Sequence, residues 1–119
     1  MSETLRQKQS RFALAAAKLI QHVYEQGYEV TLGDAYRDAR LHGNMGERKS
    51  YSHPYSMHKL RLALDLNLFR SGRYLEGSDD HRPIGEWWER QGKDHRWGGR
   101  WGDGNHYSLG HIYQGVERK

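Results

Sequence analysis

The segment from Ser56 to Phe69 constrains the fold of this chain most strongly, because its residue pattern changes halfway along. From position 62 onward, apolar and polar residues alternate, which is typical of a β-strand with one buried face. The leucines at positions 62, 64, 66 and 68 form that face, so Asp65 and Asn67 point to the opposite side. A carboxylate on that side must be solvated, paired or bound to a cation.

The spacing between His58 and Asp65 matters for any metal site in this segment. In a continuous helix, this spacing would be two turns, or roughly 10 Å along the axis. Metal ligands approach their ion to about 2 Å, so a helix would keep the two side chains from sharing an ion. A site that uses both residues therefore requires the chain to bend between His58 and Leu62.

Length and composition indicate one globular domain. A chain of 119 residues forms a domain that buries about two thirds of its unfolded surface. Only 35% of the residues are hydrophobic, but four Trp and eight Tyr residues supply large side chains for a core. We expect a single domain over residues 1–119, with frayed ends at residues 1–9 and 115–119.

The absence of cysteine limits the chemistry of a metal site. It excludes disulfides and thiolate ligands and leaves His with Asp or Glu, so a zinc site would be of the catalytic type. The net charge of +4 favours anionic partners such as a cell wall, nucleic acid or a membrane surface, without choosing between them. We expect a protein made in the cytoplasm without membrane insertion, because no long apolar span or signal core is present.

Residue patterns along the chain predict an α+β fold. An apolar stripe predicts a first helix from Ser10 to Gln26, with Ser10 as its cap and Gly27 after its end. A second helix is predicted from Pro83 to Gln91. Strands are predicted at Tyr28–Leu32, from Leu62, and from His106. We expect a small domain in which a central antiparallel sheet is flanked by two or more helices and by long loops, such as residues 39–55, around a zinc site.

The candidate metal ligands are two histidines and a carboxylate: His58, Asp65 and His106. Asp103, three residues before His106, is an additional carboxylate outside this set. Catalytic zinc sites use this combination and keep a fourth position open. With eight histidines in the chain, spacing alone leaves other sets open, and His111 competes with His106 for the third position.

Arg37 is a candidate substrate-binding residue in the turn after the first predicted strand. Its guanidinium fork matches the geometry of a carboxylate. Pairing of Arg37 with Asp34 or Asp38 at the surface is an equally good interpretation of the local sequence.

A series of short motifs resembles the zinc peptidases that include D-alanyl-D-alanine carboxypeptidases and phage L-alanyl-D-glutamate endopeptidases. The motifs, in order, are Gly33-Asp-Ala-Tyr-Arg37, Ser56-x-His58, Ala63-x-Asp65, Asp65-Leu-Asn-Leu-Phe69, Gly72-x-Tyr-Leu, Gly85-x-Trp87-Trp, Trp97-Gly-Gly-x-Trp101 and Asp103-x-x-His106. They cover most of residues 10–111. The small single domain without a signal peptide is similar to the phage endolysin branch of this family.

This resemblance implies a role for each residue of the candidate site. Zinc would be held by His58, Asp65 and His106, and Asp103 would be the general base. Arg37 and Ser56 would hold a substrate carboxylate or carbonyl.

The chain departs from the family pattern at two of its positions. Many members have Glu in place of Asp103, and the position of Arg61 is usually Gly.

The resemblance also implies an activity and a place of action. The substrate would be the stem peptides of bacterial peptidoglycan, cut at the L-alanyl-D-glutamate bond by a monomeric bacteriophage enzyme. The protein would be made in the host cytoplasm, and another factor would release it to degrade the periplasmic cell wall.

Other functions remain open from the sequence. One is a D-alanyl-D-alanine carboxypeptidase of the same family. Another is a non-catalytic basic module that binds the cell wall or nucleic acid, with Arg96, Trp97, Arg100 and Trp101 in a stacking and phosphate-contacting loop. We expect no nucleic-acid partner, because Asp65 and Asp103 would face it and the basic residues are dispersed.

Overall fold

The longest element of the fold is helix α1, Leu5–Glu25, in a computed structural model that describes residues 2–119. The helix begins before the predicted cap Ser10, because Thr4 and Gln7 form a capping box in which each side chain accepts a hydrogen bond from the other's backbone N–H. The prediction of a frayed N-terminal end is therefore wrong for residues 5–9. The predicted apolar stripe is confirmed, since Phe12, Leu19 and Val23 are buried.

An antiparallel sheet of five strands forms the centre of the domain, as predicted. Strand β2 pairs with β1, β3 and β5, and β4 lies outside β5. The strands are β1 Glu29–Leu32, β2 Ala63–Arg70, β3 Arg73–Leu75, β4 His95–Trp97 and β5 His106–Leu109. The leucine face of β2 is buried, and Asp65 and Asn67 lie half-buried on its other side.

Two shorter helices follow α1 along the chain. Helix α2, Ala39–His42, lies within a segment predicted as a loop and is capped by the Asp38 side chain. Helix α3, Arg82–Glu89, corresponds to the predicted second helix but ends before Gln91. None of the helices in residues 2–119 is both long and apolar enough to cross a membrane.

The hydrophobic core combines the leucine face of β2 with one side of α1 and α3. Trp88, Trp97 and Tyr107 are fully buried in it, so aromatic side chains fill much of the core, as the composition predicted. Gly85 in α3 allows this packing, because a methyl group there would overlap the Trp97 ring.

The predicted bend after His58 is a 3₁₀ turn over Met57–Leu60. It ends at Arg61, whose φ of 56° is in the left-handed region that favours glycine. The sequences that the motifs resemble usually have Gly at this position, and Arg61 keeps the bend with a different residue type. Further 3₁₀ turns cover Ser78–His81 and Gly98–Trp101.

The C-terminal residues form a second, two-stranded sheet. Strands β6 His111–Tyr113 and β7 Val116–Arg118 pair antiparallel around a turn at Gln114 and Gly115. The prediction that residues 115–119 are frayed is therefore wrong, because this hairpin packs beside the candidate site.

Candidate metal centre

The structure brings His58, Asp65 and His106 together. The Asp65 Oδ1 atom lies 3.1 Å from His58 Nε2 and 3.7 Å from His106 Nδ1. One ligand atom from each residue lies within 4.8 Å of the other two. This convergence meets the first requirement of a three-ligand metal site.

Two hydrogen bonds hold His58, one at its backbone N–H and one at its ring. Its N–H donates to the Ser56 side chain (3.2 Å), and its ring Nδ1 lies 2.7 Å from the Ala35 carbonyl oxygen. A carbonyl oxygen can only accept, so Nδ1 carries the proton and donates. The lone pair of a neutral His58 is therefore on Nε2, which faces Asp65.

His106 is oriented in the same way with its ring nitrogens exchanged. Its Nε2 lies 2.9 Å from the backbone oxygen of Lys119 and donates to it. The lone pair of a neutral His106 is then on Nδ1, which faces Asp65. Each histidine thus has one nitrogen fixed by a backbone acceptor and the other free for a metal ion, which is the usual arrangement around a bound metal.

Asp65 keeps its negative charge in this half-buried position. Burial alone would raise its pKa, but His106 and His58, which donate to it when their rings are doubly protonated, outweigh burial and hold the pKa well below its usual range. The guanidinium of Arg37 lies 3.6 Å from Asp65 Oδ2. An ionised carboxylate is the form that binds a metal ion.

The chemistry of the donors fits a divalent cation. With both histidines neutral, two nitrogen lone pairs and a carboxylate oxygen face one another, which is unfavourable unless a proton or a cation lies between them. Two imidazoles and one carboxylate are ligands that zinc prefers. The three residues would therefore hold a zinc ion at the wall of a cleft.

Asp103 lies at the edge of this group, with its Oδ2 atom 3.9 Å from His106 Nδ1 and its side chain 53% exposed. The loop before it folds tightly: the Asp103 N–H donates to the Gly98 carbonyl (2.8 Å) and its own carbonyl accepts from the His106 N–H (3.1 Å). The carboxylate is thus near the ligands and open to solvent.

Arg37 pairs with Asp34, one of the two interpretations that the sequence left open, and it also lies at the cleft. Its Nε donates to Asp34 (3.0 Å), while Nη1 lies 3.3 Å from the hydroxyl oxygens of Ser52 and Ser56. Its side chain is only 14% exposed, and it lines the cleft together with Ser56. Pairing with Asp34 therefore fixes the guanidinium at the site and does not remove it.

The cleft in front of the ligands has a volume of about 390 Å³. Besides the residues already named, its lining includes His53, Tyr55, Trp101, Glu117 and Arg118. His111 is not part of the site: its Nδ1 lies 3.2 Å from Lys8 Nζ on α1. The alternative that His111 replaces His106 is thus not supported by the geometry.

The loop considered for nucleic-acid stacking has a structural role. Trp97 is fully buried, Arg96 pairs with Glu117, and Arg100 pairs with Glu89. Three of the four residues on which that alternative depended are therefore already buried or ion-paired within the protein.

Sequence reasoning missed the C-terminal side of the site. Arg118 lines the cleft and Lys119 orients His106, but both residues lie in a segment predicted to be frayed. The only local signal was the short extended pattern on both sides of Gln114-Gly115, which is typical of a hairpin turn.

The fold and the site define a class of protein: a small α+β domain with a candidate catalytic metal centre. Residues 50–109 match the family described as D-alanyl-D-alanine carboxypeptidase, and the chain belongs to this peptidase family. The matched segment contains all three candidate ligands and Asp103, but neither Arg37 nor Arg118. No curated protein matches the chain.

Proposed function

We propose that this protein is a zinc-dependent endopeptidase of bacterial peptidoglycan that cleaves the L-alanyl-D-glutamate bond of stem peptides. The observation that carries the proposal is the convergence of His58, Asp65 and His106 at a cleft that also contains Asp103 and Arg37. Membership of a peptidase family supports peptide hydrolysis.

The chain's own residues supply binding, orientation and proton transfer. Zinc bound by His58, Asp65 and His106 would lower the pKa of a water molecule and polarise the scissile carbonyl. Asp103 accepts the proton of the attacking water on its carboxylate and passes it to the departing amine. Its exposure and its place beside His106 allow both transfers.

Arg37 and Ser56 position the substrate. The guanidinium is held by Asp34 and two serine hydroxyls, so it faces the cleft in a fixed orientation. A carboxylate or carbonyl of the substrate bound there would be oriented for attack, and such positioning accounts for several kcal/mol of barrier lowering, or about a thousandfold in rate.

The choice of bond rests on the resemblance to phage endopeptidases. The family description itself favours the second candidate, removal of the terminal D-alanine. A free stem pentapeptide that contains both bonds separates the two activities, because the endopeptidase releases L-alanine and the carboxypeptidase releases D-alanine. Chiral analysis of the released amino acid, with and without a zinc chelator, tests the proposal; release of neither amino acid by folded, zinc-treated protein would contradict it.

The place of action is part of the proposal. The protein would act as a monomeric endolysin-type enzyme, made in the host cytoplasm and released to the wall by another factor. Purified protein should then clear cells only when the outer membrane has been permeabilised.

A further inference from the structure

We propose that Arg118 is a second anion-binding residue of the cleft, which binds a substrate carboxylate other than the group held by Arg37. This inference rests on the proposed function, because it concerns the substrate of the same cleft. A cleft with two anion-binding arginines would select peptides that carry at least two free carboxylates.

The charge of Arg118 is uncompensated within residues 2–119. No carboxylate in this part of the chain forms an ion pair with Arg118, whereas Arg37 pairs with Asp34 and Asp65. The neighbouring carboxylate of Glu117 is bound to Arg96 at 2.7 Å. A half-buried cation without a counter-ion favours an anionic ligand.

The Nε–H group of Arg118 also lacks a partner. This atom is buried and has no hydrogen-bond acceptor among the described residues. Nearly all buried polar groups in proteins are hydrogen-bonded, and groups that are not bonded often have a functional role. Because Nε itself is shielded, a ligand carboxylate at the cleft would bind the terminal Nη groups, which are not buried and for which the described residues supply no acceptor.

Packing holds the guanidinium in place before any ligand binds. Its central carbon lies 3.8 Å from the centroid of the Tyr55 ring, and Tyr55 in turn packs against Tyr113 of β6, with ring centroids 6.1 Å apart. Stacking on an aromatic face leaves the edge of the guanidinium free for a bidentate contact with a carboxylate. Less side-chain freedom is then lost on binding.

The two arginines line the same cleft from different elements of the fold. Arg37 contacts Asp65, whereas Arg118 precedes Lys119, whose backbone oxygen holds His106. One peptide bound in this cleft can therefore place one anionic group at each arginine. Peptidoglycan stem peptides carry several free carboxylates, so they satisfy this requirement.

Steady-state kinetics with matched substrates test the proposal. A set of stem peptides is prepared in which each carboxylate in turn is converted to an amide, and wild type is compared with Arg118→Gln and Arg118→Lys. We expect Arg118→Gln to raise KM about tenfold or more for the unmodified peptide, with little change in kcat. The peptide in which the carboxylate bound by Arg118 is amidated should have the same KM with wild type and with Arg118→Gln, because the interaction is absent from both.

The matched control is Arg73→Gln, because Arg73 is an exposed arginine of β3 outside the cleft. Thermal melting of each variant checks that it is folded. Partial recovery by Arg118→Lys would support an electrostatic role. An equal rise of KM for every peptide of the set, or no rise for any of them, would overturn the proposal.

A binding measurement separates this inference from the proposed function. In an NMR titration of wild type with the unmodified peptide, we expect the Arg118 Nε–H signal to shift, and the amidated peptide identified above should not shift it. A shift without hydrolysis would contradict the proposed function and leave the anion site standing. Hydrolysis with neither a shift nor a change of KM in Arg118→Gln would contradict the anion site alone.

Discussion

Asp65 and His106 are directly opposite one another on the neighbouring antiparallel strands β2 and β5. Side chains of such a pair lie on the same face of the sheet, with Cβ atoms about 5 Å apart. The sheet thus supplies two of the three candidate ligands on rigid elements. The third, His58, is brought to the same face by the 3₁₀ turn that precedes β2.

Asp103 is expected to act in proton transfer and not in metal binding. Asp103→Asn should lower kcat by about a hundredfold to ten-thousandfold and leave the zinc content unchanged. Asp103→Glu is the control, because many members of the family have Glu at this position, and it should keep much of the activity. Peptide hydrolysis and elemental analysis on the same preparations check both points; full activity in Asp103→Asn would exclude the role.

Gly98 allows the loop to fold closely against the segment that carries Asp103 and His106. A methyl group at Gly98 would overlap the Asp103 carbonyl oxygen and lie 2.7 Å from His106 Cβ. We expect Gly98→Ala to lower the free energy of unfolding by about 1–3 kcal/mol and to reduce kcat, since that segment must shift.

The control for this change is Gly77→Ala, where the nearest atom belongs to the Asp80 side chain, at 3.1 Å, which can move. Urea denaturation measures the stability of both variants. Equal effects of the two substitutions would contradict the close approach at Gly98.

Arg61 ends the 3₁₀ turn in a left-handed conformation, with φ at 56°, and its guanidinium carbon lies 3.8 Å from the Tyr36 ring centroid. Arg61→Ala and Arg61→Gly both remove the contact with Tyr36, but only Gly relieves the backbone strain. We expect Arg61→Gly to be more stable than Arg61→Ala by about 1 kcal/mol in urea denaturation. An Ala variant as stable as the Gly variant would show that the turn imposes no such strain.

His81 makes the stability of the domain depend on pH. Burial lowers the pKa of this histidine from 6.5 to about 4, and its Nδ1 is hydrogen-bonded to the Tyr107 hydroxyl at 2.9 Å. Between pH 6.5 and about pH 4, the unfolded chain binds a proton at His81 that the folded protein does not bind. Stability is therefore retained above pH 6.5 and lost as the pH falls towards 4, by up to about 3 kcal/mol.

The measurement is the free energy of unfolding across this pH range in wild type and His81→Gln. The free energy of unfolding of His81→Gln should depend less steeply on pH than that of the wild type. The control is His53→Gln, at an exposed histidine, which should retain the pH dependence of the wild type. A His81→Gln curve parallel to that of the wild type would contradict a buried neutral histidine.

Local patterns in the sequence predicted the elements that carry most of the site. Strand β2 was evident from the leucine alternation, and the bend before it followed from the need to bring His58 near Asp65. The start of α1 also has a local signature, since Thr4-x-x-Gln7 is typical of a capping box, although the apolar stripe favours a cap at Ser10.

Features that depend on contacts distant in sequence could not be predicted in this way. The register that places Asp65 opposite His106 depends on how β2 and β5 pair. The strands of the β6–β7 hairpin have only three residues each, and its contacts are non-local: Arg118 with Tyr55 and Lys119 with His106. Its contribution to the cleft was therefore not evident from the sequence.

The zinc content of purified protein tests the central claim most directly. We predict about one zinc ion per chain in wild type, loss of that zinc in His58→Ala, and loss of peptide hydrolysis with it. His53→Ala is the matched control and should keep the zinc, because its ring lines the cleft but lies outside the ligand group. Folded wild type without zinc after exposure to the metal, or an equal zinc content in His58→Ala, would contradict the metal centre.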